Sequence, residues 1–131
     1  MIIWEEKFAT GVAELDKQHK NLFKYTNDLG EYISNNFGSQ ATTDRMMRFL
    51  GQYIKVHFNH EETCMFKHSC PIANKNQDAH QKFIKKFKET EERIKLEESG
   101  DNALRELHHF LETWLVDHIC RIDTQLKVCV H

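Results

Sequence analysis

Apolar side chains recur every three or four residues along most of the chain, which is the spacing of an amphipathic α-helix. The pattern predicts four helices, over about 12 to 35, about 42 to 67, about 74 to 97 and from about 102 onward. The breaks NNFGSQATT, SCPIANK and ESGDN hold glycine, proline and small polar residues. Gly38 is expected to end the first helix, and Thr42 or Thr43 to cap the second. Long helices joined by short loops predict an all-α, antiparallel up-down-up-down four-helix bundle.

The N-terminal residues lie outside this periodic pattern. Residues 1 to 11 are predicted to form an extended arm that packs through Trp4 and Phe8. The 131 residues are enough for one hydrophobic core, and no long linker or internal repeat divides the chain. We therefore expect a single domain over residues 1–131.

Charge and composition argue against several classes of partner. The chain has 18 basic and 20 acidic residues, with no block of like charge, so neither nucleic acid nor a membrane is an expected partner. There is no basic leader followed by an apolar run, and no apolar stretch long enough to span a bilayer. A soluble, cytoplasmic protein is predicted.

The four cysteines have no recognisable local spacing. Cys64, Cys70, Cys120 and Cys129 form neither a CxxC pair nor the dense pattern of a small secreted scaffold. We expect all four to be free thiols in a reducing compartment.

Polar residues interrupt each of the four apolar stripes. An unpaired polar group in a core costs about 1–3 kcal/mol, so such residues need a partner or a function. They are His19 in the first helix, His57 and Glu61 in the second, Asn76 and His80 in the third, and His118 in the fourth. The positions are early in the first and third helices and late in the second and fourth, so an antiparallel bundle brings them to one end. This convergence predicts a metal site in the bundle core.

The donor types restrict the metal. Imidazole and carboxylate without thiolate suit iron, manganese or zinc, and iron is favoured where open coordination positions are needed. Four histidines exceed what one metal with an open position usually takes, and a carboxylate can bridge two metals, so two metals are predicted. Asp123 follows His118 by five residues, about 140° around an ideal helix. It reaches the site only through its side chain or a local bulge, and spacing alone does not decide whether it does.

Several segments in this order resemble the hemerythrin family, in particular the single-domain bacteriohemerythrins. They are WEEKFATG at 4 to 11, DKQHKNLF at 16 to 23, HFNHEE at 57 to 62, AHQKF at 79 to 83 and WLVDHICRID at 114 to 123. The resemblance implies a four-helix bundle with two irons, joined by an oxo or hydroxo bridge when oxidised, that binds dioxygen reversibly.

Carried over position by position, the resemblance implies a set of iron ligands. His19 and His57 become terminal ligands of one iron, and His80 and His118 terminal ligands of the other. The remaining two ligands, Glu61 and Asp123, become bridging carboxylates.

One position departs from the family pattern. The family has HxxxH on the third helix, whereas this chain has Asn76 four residues before His80. Asn76 is expected to bind through its amide oxygen, to hold a water in the vacated position, or to leave the second metal weakly held or absent; we favour the water. A water there would leave labile positions on both irons, which favours peroxide or nitric oxide chemistry.

Five apolar residues are predicted at the level of the irons, where they are expected to line a ligand pocket. They are Ile54, Phe58, Trp114, Leu115 and Ile119. Plain core packing explains each of them equally well.

Two functions follow from the ligand set and the resemblance. The first is a di-iron protein, not an enzyme, that binds dioxygen for storage, delivery or sensing. The alternative is a di-iron enzyme that reduces peroxide or nitric oxide with an external electron donor, favoured by the replacement at Asn76. In both cases the expected partner is a small diatomic molecule or a peroxide.

Overall fold

A computed structural model describes residues 1–35, 40–96 and 101–129 of the protein. Helix α1 spans Ala13–Ser34, α2 Gln40–Lys67, α3 Ala73–Leu96, α4 Asp101–Arg121 and the short α5 Leu126–Cys129. Two 3-10 turns, Glu6–Phe8 and Asp123–Gln125, precede α1 and α5. The described residues contain no strand, and the predicted all-α four-helix bundle is confirmed. None of the described helices is long and apolar enough to cross a membrane.

The start of α2 differs from the predicted one. The helix begins at Gln40, so Thr42 and Thr43 lie inside its first turn and neither is the residue before it. The hydroxyl of Thr43 instead lies 2.7 Å from that of Tyr32, which joins α2 to α1. A hydroxyl that has a partner on a neighbouring helix does not need a capping role. Gly38, the predicted end of the first helix, lies outside the described residues.

The four long helices pack in a ring. Helix α1 packs against α2 and α4, and α3 packs against the same two helices. This order of neighbours is the one that short loops favour. The alternating up and down directions of the helices stay a prediction, which this order supports.

Buried apolar residues form two clusters. The larger one fills most of the bundle and includes Leu29, Leu50, Phe83 and Leu107. The smaller one, which we call the end cluster, consists of Leu15, Met65, Cys70, Ala73, Ile122 and Leu126. Leu15 lies one turn before His19 and Met65 one turn after Glu61, so the end cluster covers one side of the layer of buried polar residues.

The residues before α1 pack onto the bundle through aromatic rings. Phe8 is buried, and its ring centroid lies 5.6 Å from those of both Trp4 and Phe23. Asn27 on α1 donates a hydrogen bond to the carbonyl of Ile2 and accepts one from its N–H. Trp4 and Phe8 therefore make the packing contacts that were expected of them.

The cysteines differ from their prediction. Cys70 and Cys129 form a disulfide across a sequence separation of 59 residues, with Cα atoms 5.5 Å apart, so the expectation of four free thiols is wrong for this pair. Cys64 and Cys120 are free. Local spacing could not predict the bond, because its two cysteines are brought together only when the chain after α4 folds back towards the start of α3.

Candidate metal centre

The structure brings all six predicted ligand side chains into one buried layer. Each is at most 5% exposed, and Glu61 and His80 are fully buried. The side chains come from every long helix and from the turn after α4: His19, His57, Glu61, His80, His118 and Asp123. Their convergence agrees with the depth argument from the sequence.

One half of the cluster is built around a single oxygen of Glu61. The Nε2 atom of His19 lies 3.0 Å from Oε2 of Glu61, and that of His57 lies 3.4 Å from the same oxygen. His19 Nε2 also lies 3.2 Å from Oδ2 of Asp123. We call these donor atoms the first half of the site.

The other oxygens of the same two carboxylates form the second half of the site. His80 Nε2 lies 3.1 Å from Oε1 of Glu61. His118 Nε2 lies 3.2 Å from Oδ1 of Asp123 and 3.9 Å from Oε1 of Glu61. Each carboxylate thus offers one oxygen to each half, an arrangement that would suit two adjacent metal ions.

Asp123 reaches the cluster because α4 ends before it. The helix stops at Arg121, Ile122 has φ −114° and ψ −58°, and Asp123 begins the following 3-10 turn. The turn removes the angular offset that an uninterrupted helix would impose between His118 and Asp123. This is the local irregularity that the five-residue spacing required.

Asn76 lies in the second half of the site. Its side chain is fully buried, and its Oδ1 atom lies 2.9 Å from Nε2 of His118. Its Nδ2 atom has no hydrogen-bond partner among the described residues. The amide therefore belongs to the polar layer and has one donor group to offer there.

The outer nitrogens of two histidines are held by side chains that the sequence reasoning missed. His57 Nδ1 donates to Oε1 of Gln18 at 2.7 Å, and His80 Nδ1 donates to Oε2 of Glu62 at 3.0 Å. These bonds leave the Nε2 lone pairs facing inward, as bound imidazoles require. The sequence offered one indication of these two residues, because Gln18 directly precedes His19 and Glu62 directly follows Glu61.

Charges within the cluster shift the pKa values of its members. Burial lowers the pKa of His57 below 6.5. In His19 the effect of burial is outweighed by hydrogen bonds to Asp123 and Glu61, which raise its pKa to about 10. Burial raises the pKa of Glu61, but the imidazoles of His19, His57 and His80 beside its oxygens outweigh this effect and hold that pKa well below the usual range. Protons on imidazoles therefore offset carboxylate charge when no metal is bound.

Two of the five predicted pocket residues pack directly on the rings of candidate ligands. Phe58 stacks on His80 with centroids 3.7 Å apart, and Trp114 stacks on His118 at 4.3 Å. Ile54, Leu115 and Ile119 are buried in the larger core cluster. Lining of a ligand pocket stays a prediction for all five.

The donor set fits a cation. Glu61 Oε1, His80 Nε2 and Asp123 Oδ1 are buried and have no hydrogen bond of good geometry among the described residues. Two groups of side chains have ligand atoms within 4.8 Å of one another: Glu61, His80, His118 and Asp123, and His19, His57 and Glu61. The fold and this cluster define a class of protein, a four-helix bundle whose core carries histidines and carboxylates that could hold metal.

Within that class, the chain belongs to the hemerythrin family, since the family described as hemerythrin HHE cation binding domain matches residues 10–129. A bacteriohemerythrin of Clostridium acetobutylicum is 27% identical over 95% of this chain and 98% of its own length. One of Pseudomonas aeruginosa is 26% identical over 93% of this chain and 76% of its own. A hemerythrin-like protein of Naegleria gruberi is 27% identical over 95% and 89%.

Proposed function

We propose that the protein holds two irons in the two halves of the site and binds dioxygen reversibly, for storage, delivery or sensing. The observation that carries this proposal is the sharing of both carboxylates. Glu61 and Asp123 each direct one oxygen to the histidines of each half, at 3.0–3.2 Å for the closest contacts. Membership of a cation-binding family supports the same conclusion.

In this proposal His19 and His57 would hold one iron and His80 and His118 the other, and Glu61 and Asp123 would each offer one oxygen to both halves. Bound ferrous iron supplies the electrons and the open coordination position that reversible dioxygen binding needs. The protein supplies orientation, because the Nδ1 bonds of His57 and His80 fix the direction of their Nε2 lone pairs. Aromatic rings stack on His80 and His118 and help to fix the orientation of both imidazoles.

Asn76 is proposed to hold a water in the position of the missing family histidine. Its buried Nδ2 atom has no partner among the described residues and can donate to such a water. Direct binding through Oδ1 is the competing role. The proximity of Oδ1 to His118 Nε2, 2.9 Å, supports a place in the second half for either role.

The test begins with iron per chain, determined by elemental analysis of protein purified without added metal. Reduced, oxygen-free protein is then exposed to air and afterwards to vacuum while its visible spectrum is recorded. We expect two irons and an absorption band that appears in air and disappears under vacuum. His80→Ala should lose the band, whereas His109→Ala, which changes an exposed histidine on α4, should keep it. Irreversible oxidation on first exposure would contradict the proposal.

Reduction of peroxide or nitric oxide is the second candidate, and Asn76 is the observation that favours it. A labile position on each iron would let the second metal act as a Lewis acid towards a bound substrate. Repeated turnover with an electron donor, reduced by Asn76→His, would support the enzyme. A reaction that stops after one equivalent would support the oxygen binder.

The cytoplasmic location predicted from the sequence stays a prediction. The Cys70–Cys129 disulfide weighs against it, because disulfides persist mainly in oxidising compartments.

A further inference from the structure

We propose that the Cys70–Cys129 disulfide positions Asp123, and that its reduction by a dithiol weakens metal retention. The inference rests on the proposed function only in requiring that the cluster hold iron. It assigns a role to a bond that lies outside the cluster and is joined to it through one short segment of chain.

The hydrogen bonds made by Thr124 and Gln125, directly after Asp123, are local. Thr124 Oγ1 donates to the carbonyl of Cys120, Gln125 Nε2 to that of Arg121, and Gln125 N to that of Ile122. All three bonds join residues at most four apart. They set the shape of the turn after α4, but they do not fix its position relative to α1, α2 or α3.

Two buried apolar side chains and one covalent bond provide that longer-range anchoring. Ile122, directly before Asp123, and Leu126, three residues after it, are buried in the end cluster. Cys129, three residues further on, is bonded to Cys70. The disulfide therefore closes the segment at its far end, so that Asp123 lies between the end of α4 and a covalent anchor.

The anchor is itself connected to the helices that carry the ligands. Cys70 N donates to the carbonyl of Met65 at 2.9 Å, near the end of α2, and its carbonyl accepts from Ala73 N at 3.0 Å, at the start of α3. Met65 lies one turn after Glu61, and Ala73 lies three residues before Asn76. The disulfide thus connects the segment that carries Asp123 to the end of α2 and to the start of α3.

Among the candidate ligands, Asp123 depends most on such a connection. Its two oxygens lie 3.2 Å from His19 on α1 and 3.2 Å from His118 on α4. A carboxylate that serves two partners at once tolerates little displacement, and a shift of about 1 Å is enough to disturb a site of this kind. Release of Cys129 would permit that displacement through the short α5.

The reduction step is chemically complete with a dithiol as the reductant. One thiolate of the dithiol attacks a sulfur of the Cys70–Cys129 bond, which breaks and leaves a mixed disulfide. The second thiolate displaces the remaining cysteine and forms a cyclic disulfide. Two electrons and two protons pass to the protein, which gains two thiols. Cys129 is partly exposed, so its side of the bond is accessible.

The first experiment compares paired serine variants. Cys70→Ser with Cys129→Ser removes the bond, and Cys64→Ser with Cys120→Ser is the matched control that removes the free thiols. Iron-loaded proteins are challenged with a chelator, and the rate of iron loss is followed. We expect a rate about tenfold higher without the bond, and no change in the control. A dithiol should accelerate iron loss from the original protein and leave the bond-free variant unaffected.

The second experiment asks whether the bond acts through Asp123 or by general stabilisation. The paired substitution at Cys70 and Cys129 is repeated in an Asp123→Asn background, and melting temperatures confirm that each variant is folded. If the bond acts through Asp123, its removal should change the rate of iron loss by less than about twofold there, because coupled residues are not additive. The same tenfold change in both backgrounds would overturn the inference.

The outcomes separate the two proposals. A protein that takes up no iron contradicts the proposed function. A protein that holds two irons, but loses them equally fast with and without the bond, contradicts only the role of the disulfide. Four reactive thiols in the folded, unreduced protein would also contradict it.

Discussion

The two halves of the site share their carboxylates but differ in what surrounds them. The first half has His19 and His57 around one oxygen of Glu61, and the second has His80 and His118 around the oxygens on the other side. Only the second contains a buried amide, that of Asn76, at the position where the resemblance to the family implies a histidine. The two halves are therefore alike in their shared carboxylates, and any difference in metal affinity would come from the other residues.

The outer hydrogen bonds differ between the halves as well. His57 donates to the neutral amide of Gln18, whereas His80 donates to the carboxylate of Glu62. A carboxylate partner makes an imidazole a stronger ligand than an amide does. The second half thus has an amide at position 76 but the stronger outer hydrogen bond, and we infer that Glu62 would partly offset the weaker ligand expected at Asn76.

The largest effect is expected from the residue that both halves share. Glu61→Ala removes an oxygen from each half and leaves the Nε2 atoms of His19 and His80 without their closest carboxylate oxygen. We expect loss of both irons, with affinity reduced by at least about a hundredfold, measured as iron per chain after a chelator challenge. Glu89→Ala, an exposed change on α3, is the control. Retention of one tight iron would show that the halves are independent.

A histidine at position 76 should make the halves more alike. Asn76→His restores the HxxxH spacing with His80, and the fully buried position faces His118. We expect iron loss from the weaker position, which is the faster phase of a two-phase release, to slow by more than about tenfold. Asn74→His places the same side chain at an exposed position of α3 and should change nothing. Equal release from both variants would mean that position 76 does not contact metal.

A smaller effect is expected from the outer support. Glu62→Gln makes the partner of His80 neutral, like the Gln18 that holds His57, so iron loss from the second half should accelerate by up to about tenfold. The reciprocal Gln18→Glu should slow loss from the first half. The two variants together are informative because they exchange the amide and carboxylate partners of His57 and His80. If both variants accelerate release, the side chains act through packing and not through charge.

The bundle and five of the six candidate ligands follow from periodicity, because a buried polar residue on an apolar stripe is visible in the sequence. Periodicity did not decide whether Asp123 reaches the site, since its position depends on where α4 stops. Gln18 and Glu62 were missed, because a hydrogen bond between helices has no spacing rule along the chain. The Cys70–Cys129 bond was missed for the same reason, and the prediction of free thiols was wrong for these two cysteines. Long-range pairs depend on the packed structure, whereas faces of helices depend on local sequence.

The smallest effect concerns the stability of the protein after its metal has been removed by a chelator. His19 has a pKa of about 10 in the folded chain against 6.5 as its ordinary value. Its protonation therefore stabilises the fold fully below pH 6.5, and this contribution is lost as the pH rises towards 10. His57 has a lowered pKa, so its contribution to the stability of the fold is present above pH 6.5 and is lost as the pH falls.

Metal-free protein should accordingly be most stable near pH 6.5, and its melting temperature should fall by about 5 °C between about pH 7 and about pH 9. Iron-loaded protein should lack this alkaline loss, because a metal on Nε2 of His19 replaces the proton. His19→Gln should remove most of the loss from the metal-free form as well. A melting temperature that rises with pH in the metal-free protein would mean that the carboxylates of the cluster do not hold a proton on His19, and that their charge is balanced in another way.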